Sequence, residues 1–220
     1  MKIKAIVTGT TGMVGEGVMH ECLNHQDVES VLVINRRTIN PDHPKQKEIV
    51  HNNFFDFSSI EEQLKGYNAC FFCLGTTSIG KKEDEYTRIT FNITKALADI
   101  LVKSNPGMTF CYISGAGTDS SEKGRIMWAR VKGRTENYIL NLGFHQAFAF
   151  RPAIIKPTKG LKNTLSFYKY LSPLLPLVKL FFPKHICSLR EIGLAIINSV
   201  NKGYEKKILE VRDIVKLAME

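Results

Sequence analysis

The sequence predicts an α/β fold, a doubly wound parallel sheet with helices on both faces and a small C-terminal cap. Short apolar runs alternate with segments of helical periodicity along the first two thirds of the chain, a pattern typical of a parallel sheet covered on both sides. A glycine-rich turn also joins the first apolar run to the first helical segment. With 220 residues, of which 44% are hydrophobic and 23% charged, the chain is predicted to form one domain over residues 1–220, which excludes disordered and fibrous classes.

Local signals then define the elements in order. Apolar runs predict strands over residues 4–7, 31–35, 49–52, 69–74, 109–113, 147–150 and 207–211. Helical periodicity predicts helices over residues 14–23, 59–64, 84–103, 125–142, 188–200 and 213–219. The third helix is expected to end before Asn105-Pro106-Gly107, and the fifth to begin at a capping box of Ser188 and Glu191.

The cysteines bear on compartment and redox chemistry. There are five, an odd number, and the N-terminal apolar run is too short for a signal peptide, so we expect free thiols and a cytoplasmic protein. Cys70 and Cys73 have CxxC spacing, but residues three apart on a strand point to opposite faces, so their sulfurs should not meet. The six histidines are scattered without metal-ligand spacing, and we expect no metal site.

The turn after the first strand is the clearest sign of a ligand. Its seven residues are the predicted phosphate-binding residues Gly9, Thr10, Thr11, Gly12, Met13, Val14 and Gly15. The turn has a strand before it and a helix after it, which is the context that a dinucleotide-binding turn of a Rossmann-type sheet requires. The amides of the first helical turn would then face a pyrophosphate. The alternative is a glycine-rich connection without a ligand.

The end of the second strand predicts which dinucleotide binds. An Asp or Glu there would bond the ribose 2′-hydroxyl of NAD, but this chain has Asn35, Arg36 and Arg37. Two guanidiniums without a carboxylate suit a 2′-phosphate, which forms charge-assisted forked bonds with arginine. We therefore expect NADP rather than NAD, the alternative being that both arginines only point to solvent.

Several motifs together resemble one family. The N-terminal TGTTGMVG is similar to the TGxxGxxG fingerprint of extended and atypical short-chain dehydrogenase/reductases, and the likeness continues to about residue 155. Asp56-Phe57 is similar to the acidic-apolar pair that contacts adenine in that family. Four further motifs resemble its Tat-interacting oxidoreductase-like branch in order and spacing: Leu74-Gly75-Thr76, Tyr112-Ile113-Ser114, Val131-Lys132-Gly133 and Arg151-Pro152. The resemblance implies cofactor contacts from Asp56, Phe57, Leu74, Gly75, Thr76, Lys132, Arg151 and Pro152.

The resemblance also implies a catalytic set, from which this chain departs. In the family a Ser, a Tyr and a Lys act together, with the Tyr moving the proton that accompanies hydride transfer. Ser114 and Lys132 stand at the matching positions, but the position four residues before Lys132 holds Trp128. An indole cannot shuttle protons near neutral pH. Another acid or a water held by Ser114 could replace the tyrosine, or the reaction could need no relay, or the chain could bind the nucleotide without turnover. A packed helix residue is the alternative role of Trp128.

These observations predict an NADP-dependent atypical reductase that acts on a small carbonyl compound or a related substrate. The alternative is a non-catalytic NADP-binding protein with a redox-sensing or regulatory role. The residue that separates the two is Trp128, whose indole would also suit stacking on a nicotinamide.

The basic stretch of the last third predicts a cap. The net charge is +9, and no acidic residue lies between Glu136 and Glu191. We expect residues 156–190 to form a cap within the domain, in which prolines divide 160–183 into short helical pieces. Residues 161–183 should be mobile and carry an apolar patch, attract an anionic substrate, and offer contacts for a homodimer or a membrane surface. Lysines and aromatic residues also suit nucleic acid, but no binding motif accompanies them, so none is expected. A merely solvated basic face is the alternative.

Overall fold

The computed structural model describes residues 2–40, 42–163 and 183–220. Its strands are β1 (Ile3–Thr8), β2 (Val28–Asn35), β3 (Gln46–Val50), β4 (Ala69–Phe72), β5 (Thr109–Ile113), β6 (Gln146–Arg151), β7 (Ile154–Lys156), β8 (Ile186–Ser188) and β9 (Ile208–Glu210). Its α-helices are α1 (Met13–Asn24), α2 (Glu83–Thr87), α3 (Ile93–Ser104), α4 (Met127–Asn141), α5 (Leu189–Lys202) and α6 (Val211–Ala218). A 3-10 helix spans Ser58–Leu64, a second spans Pro183–His185, and a π turn at Arg88–Asn92 joins α2 to α3.

The central sheet has seven strands in the order β3-β2-β1-β4-β5-β6-β9, and every pair in it is parallel. The chain builds outward from β1 in one direction and from β4 in the other. The topological switch point therefore lies between β1 and β4, where doubly wound sheets bind ligands beyond the carboxyl ends of their strands. The predicted fold class is confirmed.

Two hydrophobic cores cover the two faces of the sheet. Consecutive strand residues point to opposite faces, so Ile6 faces one core while its neighbour Val7 faces the other. Helices α1, α5 and α6 pack over the face that carries Val7 and Phe71, whereas α3 and α4 pack over the face that carries Ile6 and Phe72. Burial on both sides explains why the strands are almost continuously apolar.

The predicted elements differ from the structure mainly at their ends. The strand predicted over 49–52 is β3, which runs from Gln46 to Val50, and the one predicted over 69–74 ends at Phe72. The helix predicted over 84–103 is instead interrupted by the π turn. The capping box is confirmed, since Ser188 Oγ accepts from Glu191 N at 3.1 Å and Glu191 Oε2 accepts from Ser188 N at 2.6 Å.

Strands β7 and β8 were not predicted, because each is only three residues long. They pair in parallel apart from the main sheet and join the two ends of the cap segment. The predicted short helices, mobility and apolar patch fall mainly on residues 164–182, which lie outside the described residues. Within the described part of the chain, none of the helices is both long and apolar enough to cross a bilayer.

Candidate nucleotide-binding and active site

The glycine turn lies at the switch point. Different structural constraints act on its three glycines, Gly9, Gly12 and Gly15. Gly9 has a φ of +72°, and a Cβ there would lie 2.7 Å from the Cys73 backbone. At Gly15 a Cβ would lie 2.2 Å from the carbonyl oxygen of Gly9. At Gly12 it would meet only that same oxygen, at 3.4 Å. Packing of the chain therefore requires glycine at residues 9 and 15 but leaves the space in front of Gly12 open for a ligand.

Helix α1 begins without a side-chain cap. Its N-cap residue is Gly12, which has no side chain to accept the first amides of the helix. Thr11 is exposed beside it, whereas Met13 and Val14 are half-buried and pack against the core. The uncapped amides and the positive end of the helix dipole fit a pyrophosphate.

A chain of hydrogen bonds connects the glycine turn to the end of β2. Thr10 Oγ1 donates to Asn35 Oδ1 at 3.0 Å, and both residues are buried. Asn35 Nδ2 donates to Glu48 Oε1 at 3.1 Å. Arg36 and Arg37 are exposed, and neither guanidinium has an ion pair within the described residues. Both are therefore accessible to a ligand. Sequence reasoning missed Glu48, because ten residues separate it from Arg37 and no motif points to it.

The residues after β3 and β4 line the same edge of the sheet in different ways. Asp56 is exposed, and amide and hydroxyl bonds from Ser58 hold the pKa of its carboxyl below its usual value. Phe57 is fully buried in a core cluster with Phe54, so its contact with a cofactor stays a prediction. Leu74 and Thr76 are half-buried after β4, and Gly75 between them is exposed, with nothing within 4 Å of the place of a Cβ.

Two side chains of the predicted catalytic set, both on α4, contact the loop that begins at Ser114 after β5. Lys132 Nζ donates to the carbonyl oxygen of Ser114 at 2.7 Å. Trp128 Cη2 lies 3.5 Å from the place of a Cβ on Gly117 in the same loop. Burial lowers the pKa of Lys132 to about 8, although the nearby carboxylate of Glu136 opposes this shift. The structure thus places Lys132 in contact with Ser114 and Trp128 in contact with the same loop, and the catalytic role of the three residues stays a prediction.

The hydroxyl of Ser114 is oriented by a residue that sequence reasoning missed. Ser114 Oγ and Thr118 Oγ1 are 2.9 Å apart, and Thr118 Oγ1 donates its hydrogen to the carbonyl of Gly115 at 2.7 Å. A hydroxyl has one hydrogen, so the hydrogen between the two oxygens comes from Ser114. This arrangement leaves lone pairs of Ser114 Oγ for a ligand that donates.

Arg151 stands at the end of β6, but its guanidinium is committed to protein groups. It binds the fully buried Glu136 through Nε at 3.0 Å and Nη2 at 2.5 Å, and it binds Glu210 at 3.2 Å and Ser120 Oγ at 2.6 Å. Pro152 accepts a hydrogen bond from the amide of Ala116 at 2.9 Å. A contact of either residue with a cofactor remains a prediction, and these bonds fix the loop after β5 to the end of β6.

Burial also decides the chemistry of the CxxC pair. Cys70 and Cys73 are free, and burial raises the pKa of both thiols well above the usual value. Protonated thiols are poor nucleophiles and poor metal ligands. In the described part of the chain, no group of three or more His, Cys, Asp or Glu side chains is placed to hold a metal ion.

Comparison with known families extends the picture. The model of the NAD dependent epimerase/dehydratase family matches residues 5–123, which include the glycine turn and the end of β5. "Protein FMP52-1, mitochondrial" of Scheffersomyces stipitis is 27% identical, with 98% of each chain covered. "Protein HTATIP2" of Rattus norvegicus is 26% identical over 68% of this chain and 61% of its own length. The resemblance to the Tat-interacting branch is confirmed.

Solved structures agree on the fold. ADP-L-glycero-D-manno-heptose-6-epimerase of Helicobacter pylori has a TM-score of 0.67 at 13% identity, with 99% of this chain and 80% of that chain covered. The enzyme WbmG of Bordetella bronchiseptica, solved in complex with NAD, has a TM-score of 0.67 at 12% identity, with 100% and 78% covered. Identities this low support the shared architecture alone.

The relatives also correct the expected location. The proteins named FMP52 from Scheffersomyces stipitis, Meyerozyma guilliermondii and Debaryomyces hansenii all carry the word mitochondrial in their names. The cytoplasmic prediction is therefore wrong. It was drawn from the lack of a secretory signal, and such a signal governs export through the secretory route and not import into mitochondria.

Proposed function

Because the chain belongs to the NAD dependent epimerase/dehydratase family, we propose that it is an NADP-dependent reductase of the atypical short-chain type. Its substrate is a small, anionic carbonyl compound or a related molecule. The observation that carries this proposal is the contact of Lys132 with the end of β5 beside Ser114. That contact lies at the edge of the sheet where the glycine turn offers its open face at Gly12.

The residues present fit a dinucleotide phosphate. The uncapped start of α1 would hold the pyrophosphate, and the open space at Gly12 lets it approach the backbone. Arg36 and Arg37 would hold the 2′-phosphate, which is why we propose NADP rather than NAD. When bound, the nicotinamide would exchange a hydride with the carbonyl carbon of the substrate.

The chain supplies orientation and the proton. Ser114 Oγ, which donates its hydrogen to Thr118, would accept a hydrogen bond from a water or from a hydroxyl of the substrate. The ammonium of Lys132, held at the carbonyl of Ser114, would donate to the substrate oxygen. A pKa of about 8 lets Lys132 hold a proton at neutral pH and release it more readily than an ordinary lysine. Lys132, or a water held by Ser114, therefore supplies the proton that the indole of Trp128 cannot donate.

An anionic substrate is supported by the segment after β6. Lys156, Lys159 and Lys162 are exposed there. Glu16 in the first turn of α1 holds this segment, since its carboxylate accepts from the amides of Lys162 and Asn163 at 2.7 Å each. Solved neighbours are named as epimerases of sugar nucleotides, which are anionic. Homodimerisation and membrane contact through 161–183 remain further proposals.

Trp128 also favours a second candidate function, a non-catalytic NADP-binding protein with a regulatory role. Without a tyrosine at this position the site lacks the proton donor that the family uses. Binding would then report the redox state of the NADP pool without turnover.

The names of the relatives support a mitochondrial location for this chain. Fractionation of cells that express the full chain tests it, with recovery in the mitochondrial fraction expected and recovery only in the cytosol against it.

One experiment separates the two candidate functions. Protein is purified without added cofactor, and the dinucleotide that it releases on denaturation is identified by mass spectrometry. The same preparation is then mixed with NADPH and a panel of small anionic and neutral carbonyl compounds, and oxidation of NADPH is followed by absorbance. Release of NADP together with turnover of an anionic member supports the reductase. NADP without any turnover supports the regulatory protein, and the absence of any dinucleotide binding rejects both.

A further inference from the structure

The carboxylate of Glu48 connects three parts of the nucleotide site. It accepts from Asn35 Nδ2 at 3.1 Å, from Thr38 Oγ1 at 2.5 Å and from the amide of Ile39 at 3.0 Å. These donors belong to the end of β2 and to the loop that leaves it, whereas Glu48 itself lies on the edge strand β3. One side chain therefore fixes the start of the loop against the sheet.

The loop fixed in this way is the one that carries the two exposed arginines. Arg36 and Arg37 lie between Asn35 and Thr38, so a donor to Glu48 stands on each side of them. The Thr38 hydroxyl also accepts from the amide of Asn40 at 3.0 Å, which holds the next residues. Because both flanks are bonded to one carboxylate, the backbone at Arg36 and Arg37 has little freedom.

The same network reaches the phosphate-binding turn. Asn35 donates to Glu48 with its amide nitrogen and accepts from Thr10 with its amide oxygen. Since Thr10 follows Gly9 directly, the turn that faces a pyrophosphate and the loop that faces a ribose are joined by side-chain bonds. The bond between Thr10 and Asn35 does not involve Glu48, so the turn keeps this contact with β2 when Glu48 is replaced.

A carboxylate near this place could have the opposite role. An Asp or Glu at the end of β2 binds the ribose hydroxyls and favours NAD. Glu48 differs because its two oxygens already receive three donors, of about four that a carboxylate can accept. Those bonds hold the pKa of Glu48 below its usual value, so the group is anionic and keeps its donors at neutral pH.

We infer that Glu48 is a positioning residue for cofactor selectivity: it latches the β2–β3 loop so that Arg36 and Arg37 face the 2′-phosphate of NADP. This inference rests on the proposed NADP preference. Without its hydrogen bonds to Glu48, the loop would sample many conformations. Ordering it on cofactor binding would then cost free energy and lower the affinity. The cost falls on NADPH and spares NADH, because only NADPH has a phosphate for the arginines.

The test is the ratio of the dissociation constants of NADH and NADPH, measured by titrating the full chain. We expect Glu48→Ala to lower this ratio by about tenfold, the equivalent of one charge-assisted contact, with little change for NADH. Thr38→Val, a substitution at an exposed position, should lower it in the same direction without disturbing the sheet. Glu48→Gln keeps an acceptor oxygen and should lose less of the ratio than Glu48→Ala.

The control is Glu29→Ala. Glu29 lies on β2, pairs with Lys4 at 3.2 Å and is exposed, so this variant loses the same charge without touching the loop, and its ratio should match that of wild type. Hydrogen exchange at the amide of Ile39 gives a second readout, which should speed up in Glu48→Ala while amides of the sheet stay protected.

Each other outcome overturns the inference. If Glu48→Ala and Thr38→Val leave the ratio unchanged, the hydrogen bonds of Glu48 do not contribute to cofactor selectivity. A ratio that rises would show that the carboxylate opposes the 2′-phosphate. Wild type that binds NADH as tightly as NADPH would reject the cofactor preference itself, and the inference with it. The wild-type arm thereby separates the two failures.

Discussion

Lys132 Nζ donates a hydrogen bond of 2.7 Å to the carbonyl oxygen of Ser114. The bond joins the first turns of α4 to the end of β5 and places a cation at the carboxyl edge of the sheet. Its strength depends on α4 lying close to the loop after β5. Gly133 allows this approach, since a Cβ there would lie 1.8 Å from the carbonyl oxygen of Asp119.

The pKa of Lys132 predicts how cofactor binding depends on pH. Burial lowers that pKa to about 8, so Lys132 loses its proton as the pH rises through this value. We expect the affinity for NADPH to fall above about pH 8, by at most tenfold per pH unit. Titrations across this range measure the effect, with Lys132→Arg as the control because arginine keeps its charge. A wild-type profile that is flat, or that Lys132→Arg reproduces, would contradict the assignment.

The same shift has a consequence for stability. The folded-state pKa of about 8 lies below the unfolded value of 10.5, so between these values the unfolded chain binds more protons. The free energy of unfolding contributed by this group therefore rises with pH through that window, and below pH 8 the full cost of burying the cation is present. Denaturant unfolding of wild type and Lys132→Met at both ends of the window should show the free energy of unfolding of wild type rising relative to that of Lys132→Met, since all other titrating groups are shared by the two proteins.

Trp128 limits the proposed reductase. We expect Trp128→Tyr to raise any NADPH-dependent carbonyl reduction, by about 10²-fold if the new hydroxyl is well placed, because it restores a positioned acid. Steady-state rates on the same carbonyl panel measure this, and Trp128→Phe is the matched control without the hydroxyl. If wild type reduces a carbonyl compound rapidly and Trp128→Tyr lowers that rate, the indole has a role in a different chemistry.

Two glycines of the turn should respond in opposite ways. Gly12 has extended backbone angles of an N-cap residue, so Gly12→Ser should keep or slightly raise the unfolding temperature, since serine caps helices well. It should also weaken NADPH binding by about tenfold or more, since the new side chain takes the place of the pyrophosphate. Gly15→Ala should cost about 1–3 kcal/mol of stability or more through the clash with Gly9. Thermal unfolding together with NADPH titration distinguishes them, and equal effects on both properties would contradict the account.

The Arg151 network should matter for stability more than for the cofactor. Arg151→Met leaves the fully buried Glu136 without its cation, which costs about 3–5 kcal/mol when one partner of a buried pair is removed. The double variant Arg151→Met/Glu136→Gln should recover part of this loss. Chemical denaturation measures both. Normal stability with weakened NADPH binding in the single variant would instead place Arg151 in the cofactor site.

The sequence predicted the fold well because its signals are local. Apolar runs, the glycine turn and the capping box at Ser188 depend on neighbours a few residues away, and all three appear in the structure. The end of β4 could not be read from the apolar run over 69–74, since the close approach of Gly9 to Cys73 marks the turn. Strands β7 and β8 depend on pairing across more than thirty residues.

The site was predictable only as far as its motifs reach. Lys132 and Trp128 both contact the loop that begins at Ser114, because strand ends and helix starts meet at one edge of the sheet. Two carboxylates that hold the surrounding loops were missed, because their partners are distant in sequence. Glu48 acts through donors nine to thirteen residues away, and Glu16 holds amides almost 150 residues further on. No periodicity or spacing rule links such pairs.

The most direct test of the central claim is a comparison of NADPH and NADH binding by wild type and by the double variant Arg36→Ala/Arg37→Ala. Trp128 is the single tryptophan of the chain, and the proposed function places it beside the nicotinamide, so we expect either cofactor to quench its fluorescence. The account predicts that wild type binds NADPH at least about tenfold more tightly than NADH, and that the double variant loses this preference while still binding NADH. Equal affinities in wild type, or a preference for NADPH that survives the double substitution, would contradict it.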